Sequence, residues 1–128
     1  MSGGCEENIQ MLLKVLRAKI HRAVITEARV DYVGSITIDR ELMDAAGIVS
    51  GECVLVADLT DGARFETYVM EGESGSGTIC INGAAARLVD VGDKVIIMAF
   101  AYVSPDEAKQ LKPKVALIGE HNKLEKVL

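Results

Sequence analysis

Four short stretches hold most of the side chains that could do chemistry. Lys19 and His21 share one parity of an alternating run, and Tyr32-Val33-Gly34-Ser35 sets a phenol and a hydroxyl around a glycine. Arg64-Phe65-Glu66-Thr67-Tyr68 puts a guanidinium and a phenol two pleats apart on one strand face, and Asn82-Gly83-Ala84-Ala85-Ala86 follows an amide with very small residues. Lys19 and Arg64 suit a carboxylate, Arg64 through its bidentate fork and Lys19 as a point charge. The small residues after Asn82 let a backbone or a ligand come close.

Other chemistries lack their residues. No G-x-S-x-G nucleophile elbow is present; Gly75-Ser76-Gly77 sits in a loop with no helix after it. Neither a Gly-Lys-Ser/Thr phosphate loop nor a G-x-G-x-x-G turn between strand and helix occurs. With His21 and His121 the only histidines, a zinc site would need carboxylates and thiols at poor spacings, so no metal cofactor is expected. Cys5, Cys53 and Cys80 are odd in number and lack C-x-x-C spacing; they read as reduced thiols of a cytoplasmic protein, Cys53 and Cys80 in the core.

The elements that must position these groups are strands. Leu12, Leu16, Ala18, Ile20 and Val24 alternate with Arg17, Lys19 and His21, which reads as a strand with one buried and one basic row. Val30 to Asp39 reads as strand interrupted by a kink at Gly34-Ser35, and Asp39 and Gly47 are the N- and C-caps expected for a helix over 40–46. Strands follow over 53–59, 63–70, 78–81, 94–103 and 115–118. Asp61-Gly62 reads as a hairpin turn, 71–77 as a mobile loop, and Ser104-Pro105-Asp106-Glu107 as a capping-box start for a short helix. Residues 1–10 read as a flexible extension, 11–128 as a single domain, and 119–128 as a polar tail.

Composition narrows the partners. The chain of 128 residues is 49% hydrophobic with a formal net charge of −5, enough apolar material for one core and the wrong sign for nucleic acid or an anionic membrane. No apolar run approaches the ~18 residues of a membrane span. Ala45-Ala46-Gly47-Ile48-Val49-Ser50-Gly51-Glu52-Cys53-Val54-Leu55-Val56 is echoed, with one insertion, by the segment from Ala85-Ala86 to Val95-Ile96-Ile97. Two halves using the same unit predict a pseudo-twofold β-barrel.

In this order and in a chain of this size, the K-x-H-R string at Lys19 to Arg22, Tyr32 to Ser35, Arg64 to Tyr68, and the N-G-A-A-A string at Asn82 to Ala86 resemble the pyruvoyl-dependent aspartate 1-decarboxylases. The resemblance runs from about Met11 to about Ile118; residues before Met11 and after Gly119 depart from it. It implies a mainly β fold, a double-psi β-barrel with short helices, assembled as a homotetramer. It also implies a proenzyme that cleaves itself between Gly34 and Ser35 into a β chain (1–34) and an α chain (35–128). The Ser35 hydroxyl would attack the Gly34 carbonyl to give an ester, and elimination with loss of ammonia would leave a covalent pyruvoyl group. Gly34 would permit the strained backbone this needs, while Thr67 and Asn82 would supply or position donors for the charge on the Gly34 carbonyl oxygen. Tyr32 would lie near the cleavage site.

The implied reaction is decarboxylation of L-aspartate to β-alanine for pantothenate synthesis. The substrate amine would form a Schiff base with the pyruvoyl carbonyl, an electron sink no ordinary side chain provides. Tyr68 would reprotonate the product, and Lys19, His21, Arg64, Asn82, Gly83, Ala84 and Ala85 would bind substrate. A maturation factor is left open as a partner. The alternative of another class is a non-catalytic double-psi barrel acting as an interaction module, and a pyruvoyl enzyme for glutamate would differ only in pocket length. Without the resemblance, Gly34-Ser35 is an ordinary bulge, Asn82-Gly83 a hairpin turn, and Lys19 and His21 a solvated strand face.

Overall fold

A computed structural model describes residues 10–128. In chain order the elements are β1 (Leu13–Val24), β2 (Glu27–Arg29), β3 (Ser35–Asp39), α1 (Arg40–Ala46), β4 (Cys53–Asp58) and β5 (Arg64–Gly72). They continue with β6 (Ile79–Asn82), a 3-10 turn (Gly83–Leu88), β7 (Lys94–Val103), α2 (Pro105–Gln110), β8 (Lys114–Ile118), a second 3-10 turn (Glu120–Asn122) and β9 (Leu124–Val127). The extension expected over 1–10 lies outside the described residues except for Gln10.

The sheet runs in the order β2-β6-β3-β5-β4-β7-β1-β8-β9. Only Ile25 and Thr26 separate β1 from β2, although the two stand far apart in that order. The sheet must therefore curl until its ends meet, and the backbone shows the closure: Thr26 N–H donates to Ile79 O at 2.8 Å and Ile25 N–H to Asp93 O at 2.9 Å. With β1 and β2 counted as one bent strand, the ring is β1/β2-β6-β3-β5-β4-β7, and β8 and β9 extend from β1 outside it.

The ring has the two halves expected from the repeat. Exchanging β1/β2 with β5, β3 with β6, and β4 with β7 returns the same neighbours. The repeat also reaches further back than 45–56: Ile36-Thr37-Ile38-Asp39 matches Ile79-Cys80-Ile81-Asn82, each string ending in the residue that opens the following helical turn. The core obeys the symmetry, since Ile36, Ile38, Val54 and Val56 are buried with their counterparts Ile79, Ile81, Val95 and Ile97. Each such side chain contributes roughly 1.5–3 kcal/mol on burial. The interleaved halves and the mainly β content are those of the double-psi barrel with short helices.

Local signals held where caps set them. Asp39 accepts from Glu41 N–H at 2.9 Å, and Gly47 ends α1 in the left-handed region at φ 73°. Ser104 and Glu107 form the reciprocal capping box with Pro105 inside it. The expected mobile loop is not free: β5 runs on to Gly72, and the buried Asp39 carboxylate accepts from Gly75 N–H at 2.9 Å and Gly77 N–H at 2.8 Å.

Elsewhere the pairing partners overrode the local pattern. On β1 the register against β7 slips at Leu16/Ala18 and at His21/Ala23, with Arg22 at φ 71°. That bulge flips the parity, so Ala23 and Ile25 enter the core while Val24 is half-buried; Leu12, expected in the buried row, precedes β1 and is exposed. Residues 30–34 form a turn rather than a strand, after a three-residue β2 parallel to β6. The tail beyond Gly119 is ordered: β9 pairs antiparallel with β8, and Asn122 is buried. Cys80 is buried as expected, whereas Cys53 is exposed, opposite Tyr68 on β5.

Candidate functional site

Ser35 opens β3 directly opposite Asn82, the last residue of β6. Both are 2% exposed. The Ser35 hydroxyl donates to Val33 O at 3.2 Å and accepts from Asn82 Nδ2 at 3.0 Å. The same Nδ2 donates to Thr37 Oγ1 at 3.1 Å, and the Cys80 thiol donates to Asn82 Oδ1 at 3.3 Å. Two strands bring this about by ordinary alternation: Ser35 and Thr37 share one face of β3, Cys80 and Asn82 share one face of β6, and the register pairs Ser35 with Asn82 and Thr37 with Cys80.

Beyond Asn82 the chain turns at Gly83, at φ 82°, against the backbone of Gly34. A Cβ on Gly83 would lie 2.6 Å from Gly34 Cα, 3.0 Å from Gly34 N and 3.4 Å from Tyr32 O. The steric demand for glycine at this junction therefore falls on Gly83. Gly34 itself is outside the left-handed region, and a Cβ there would meet nothing within 4 Å, so neither φ nor crowding demands glycine at that position. β5 runs parallel to β3 with Val69 opposite Ile36, and carrying that register back sets Thr67, 9% exposed, alongside Gly34.

The structure thus gathers Gly34, Ser35, Thr67, Asn82 and Gly83 within one chain. The remaining expected residues are exposed or half-buried. Arg64 and Tyr68 share the outer face of β5, Tyr68 being 61% exposed; the register that sets Thr67 alongside Gly34 sets Tyr68 alongside Ser35, on the side of the sheet away from Ile36 and Val69, with Arg64 two pleats away. Tyr32 is exposed on the 30–34 turn, Ala84 is exposed and Ala85 half-buried on the first 3-10 turn. Lys19 and His21 are half-buried on β1, between β7 and β8. Arg17, the third member of that basic row, is ion-paired with Glu52.

His21 Nδ1 is buried without a hydrogen-bond partner. Burial, followed by the charges of Lys19 and Arg22, holds the imidazole below its usual value of 6.5, favouring the neutral ring. A cleft of about 310 Å³ lies elsewhere, lined by Lys14, Glu52, Cys53, Glu66, Phe100 and Tyr102. Among the described residues no cluster of three or more His, Cys, Asp or Glu is placed to hold a metal ion, and no helix is long and apolar enough to cross a membrane. Sequence reasoning passed over Thr37 and gave Cys80 no part beyond the core. The signal was available in the spacing, since S-x-T on one strand faces C-x-N on its neighbour.

Comparison with known proteins adds a lineage to this geometry. The aspartate decarboxylase family matches residues 11–125. An aspartate 1-decarboxylase of Caldicellulosiruptor saccharolyticus is 59% identical over 91% of each chain. One of Lactiplantibacillus plantarum is 56% identical over 91% of this chain and 89% of its own, and one of Bacillus licheniformis is 52% identical over 92% and 93%. Among solved structures, the computationally designed protein msDPBB_sym2 aligns with a TM-score of 0.43 at 22% identity, covering 68% of this chain and 99% of its own.

Proposed function

This chain belongs to the aspartate decarboxylase family, and we propose that it converts L-aspartate to β-alanine and CO2 after cutting itself between Gly34 and Ser35. The observation that carries the reading is the buried Ser35 hydroxyl, fixed by Val33 O and Asn82 at the one place where Gly83 lets another backbone pass so close to Gly34.

In this reading the Ser35 oxygen forms a bond to the Gly34 carbonyl carbon, the Gly34–Ser35 C–N bond breaks, and the nitrogen takes up the hydroxyl proton to become a free amine. The resulting ester joins Gly34 to the Ser35 side chain. Removal of the Ser35 α-proton expels the Gly34 carboxylate, and water replaces the nitrogen, which leaves as ammonia. Thr67 and the Asn82 amide stand by to stabilise charge on the carbonyl oxygen. A pyruvoyl group so formed would supply an electron-accepting carbonyl that no side chain here offers.

Lys19 and Arg64 serve the two substrate carboxylates, a neutral His21 lends a ring nitrogen to orientation, and Tyr68 holds the proton returned to the product carbon. Lys19 and His21 on β1, and Arg64 two pleats from Tyr68, stand away from Ser35, so the reading calls for the homotetramer, in which exposed faces of neighbouring copies meet at a site. A cytoplasmic setting and a supply of β-alanine for pantothenate synthesis complete it.

Intact-protein mass spectrometry on fresh and incubated protein tests this, together with an assay of β-alanine release. The expected result is two fragments, 1–34 and 35–128, the second lighter by one ammonia than a serine-started chain, with Ser35→Ala remaining whole and inactive. A wild-type chain that stays whole after incubation with cell extract, or a Ser35→Ala variant that still decarboxylates aspartate, would refute it.

A further inference from the structure

Asn82 touches Ser35 through one edge of a primary amide, and an amide can sit either way round. In the observed orientation Nδ2 faces both Ser35 Oγ and Thr37 Oγ1, and Oδ1 faces Cys80 Sγ. Turned over, the amide would offer Ser35 an acceptor, and the serine proton would swing from Val33 O to Asn82. The orientation of one side chain therefore decides whether the Ser35 oxygen has its proton directed at Val33 and a lone pair held by Asn82, or the reverse.

Two neighbours bear on that orientation, the Cys80 thiol selecting it as a donor to Oδ1 and the Thr37 hydroxyl engaging the other edge. The Thr37 oxygen takes the second N–H of Nδ2, and the Cys80 thiol brings a proton to Oδ1. Cys80 is 4% exposed, and burial, helped by the charge of Glu27, raises its pKa, so the thiol keeps its proton at neutral pH and acts as a donor. The tile is closed: Ser35 pairs with Asn82 and Thr37 with Cys80 across the β3/β6 ladder, so each of the four side chains has its neighbours fixed by the register. We propose that Cys80 and Thr37 are positioning residues for the self-cleavage step, holding the Asn82 amide so that its N–H, and never its carbonyl oxygen, meets the Ser35 hydroxyl. The inference rests on the self-processing reading above.

The test is a time course of cleavage, followed by intact mass, for freshly made wild-type, Cys80→Ala, Cys80→Ser and Thr37→Val chains. Losing one such hydrogen bond should slow the first-order cleavage about three- to tenfold in Cys80→Ala and in Thr37→Val, the latter nearly isosteric and so free of a packing defect. Cys80→Ser keeps a donor at the same place and should restore a rate within about twofold of wild type, which a purely structural role for the sulfur would not predict. If Cys80→Ala and Thr37→Val cleave at the wild-type rate, or Cys80→Ser is as slow as Cys80→Ala, the positioning role is wrong. A wild-type chain that never cleaves would remove the processing reading, and the positioning role with it.

Discussion

Replacing Gly83 by alanine puts the close approach of the two backbones under the most direct load. A left-handed φ of 82° costs an alanine about 1–2 kcal/mol before any contact is counted. The new Cβ would stand 2.6 Å from Gly34 Cα, where ordinary contact begins near 3.4 Å, so either the 3-10 turn or the Gly34 peptide must retreat by most of an ångström. Both are backbone and cannot swing aside as a side chain could, so overpacking adds a further ~1–3 kcal/mol. The expected loss of stability is about 2–5 kcal/mol. Because a misplacement of about 1 Å between reacting groups can cost about 100-fold, cleavage should slow by that order. Urea unfolding in a Ser35→Ala background isolates the fold from the cut, and intact mass reports the cut in the single variant. Gly34→Ala is the control: its Cβ has open space and an ordinary φ, so stability should stay within about 1 kcal/mol of wild type. A Gly83→Ala chain with unchanged unfolding and cleavage within twofold of wild type would refute the reasoning.

Two further outcomes follow from groups outside that junction. Asn122 donates to Val24 O and Gly77 O and accepts from Val24 N–H, all at 2.8 Å, with its backbone at φ 55°; Asn122→Ala strands three backbone groups and should lower stability by about 3–5 kcal/mol in urea unfolding. His21 is held below 6.5 by burial first and then by Lys19 and Arg22, so the unfolded chain binds its proton more readily than the folded one. Its contribution to stability is complete above about pH 6.5 and is lost as the pH falls from there through the lowered folded value; an NMR titration of the ring should give a midpoint below 6.5, and His21→Gln should flatten stability in that window.

How much could be read in the sequence depended on how local the cause was. The caps of α1 and α2 were legible because Asp39, Gly47, Ser104 and Glu107 act within their own turns. The repeat was legible because two halves must bury equivalent apolar rows, although its clearest part, I-T-I-D against I-C-I-N, went unread. The Arg22 bulge was not legible: it arises where β1 must keep pace with β7, and nothing in 18–24 alone announces a change of parity. Nor was β9, since an edge strand exposed along its whole length carries no alternation. At the site, the shared face of Arg64 and Tyr68 was anticipated from alternation, and the resemblance brought Asn82 to the Gly34–Ser35 junction without its bond to the Ser35 hydroxyl. The close approach allowed by small residues after Asn82 was anticipated, but that Gly83 and not Gly34 carries the steric demand was not, because the collision involves a backbone that only the folded chain brings near.

The way the ring closes has a consequence for a chain severed between Gly34 and Ser35. β1 lies between β7 and β8, β2 lies beside β6, and neither pairs with any strand of its own fragment. Among its described residues the short piece has no sheet of its own to fold into, so the barrel must form before the cut, and afterwards its ladders hold the pieces together. Unfolding then separates two molecules where there had been one. Refolding an intact chain is a first-order event, while recovering a severed one is a second-order encounter whose midpoint moves with protein concentration.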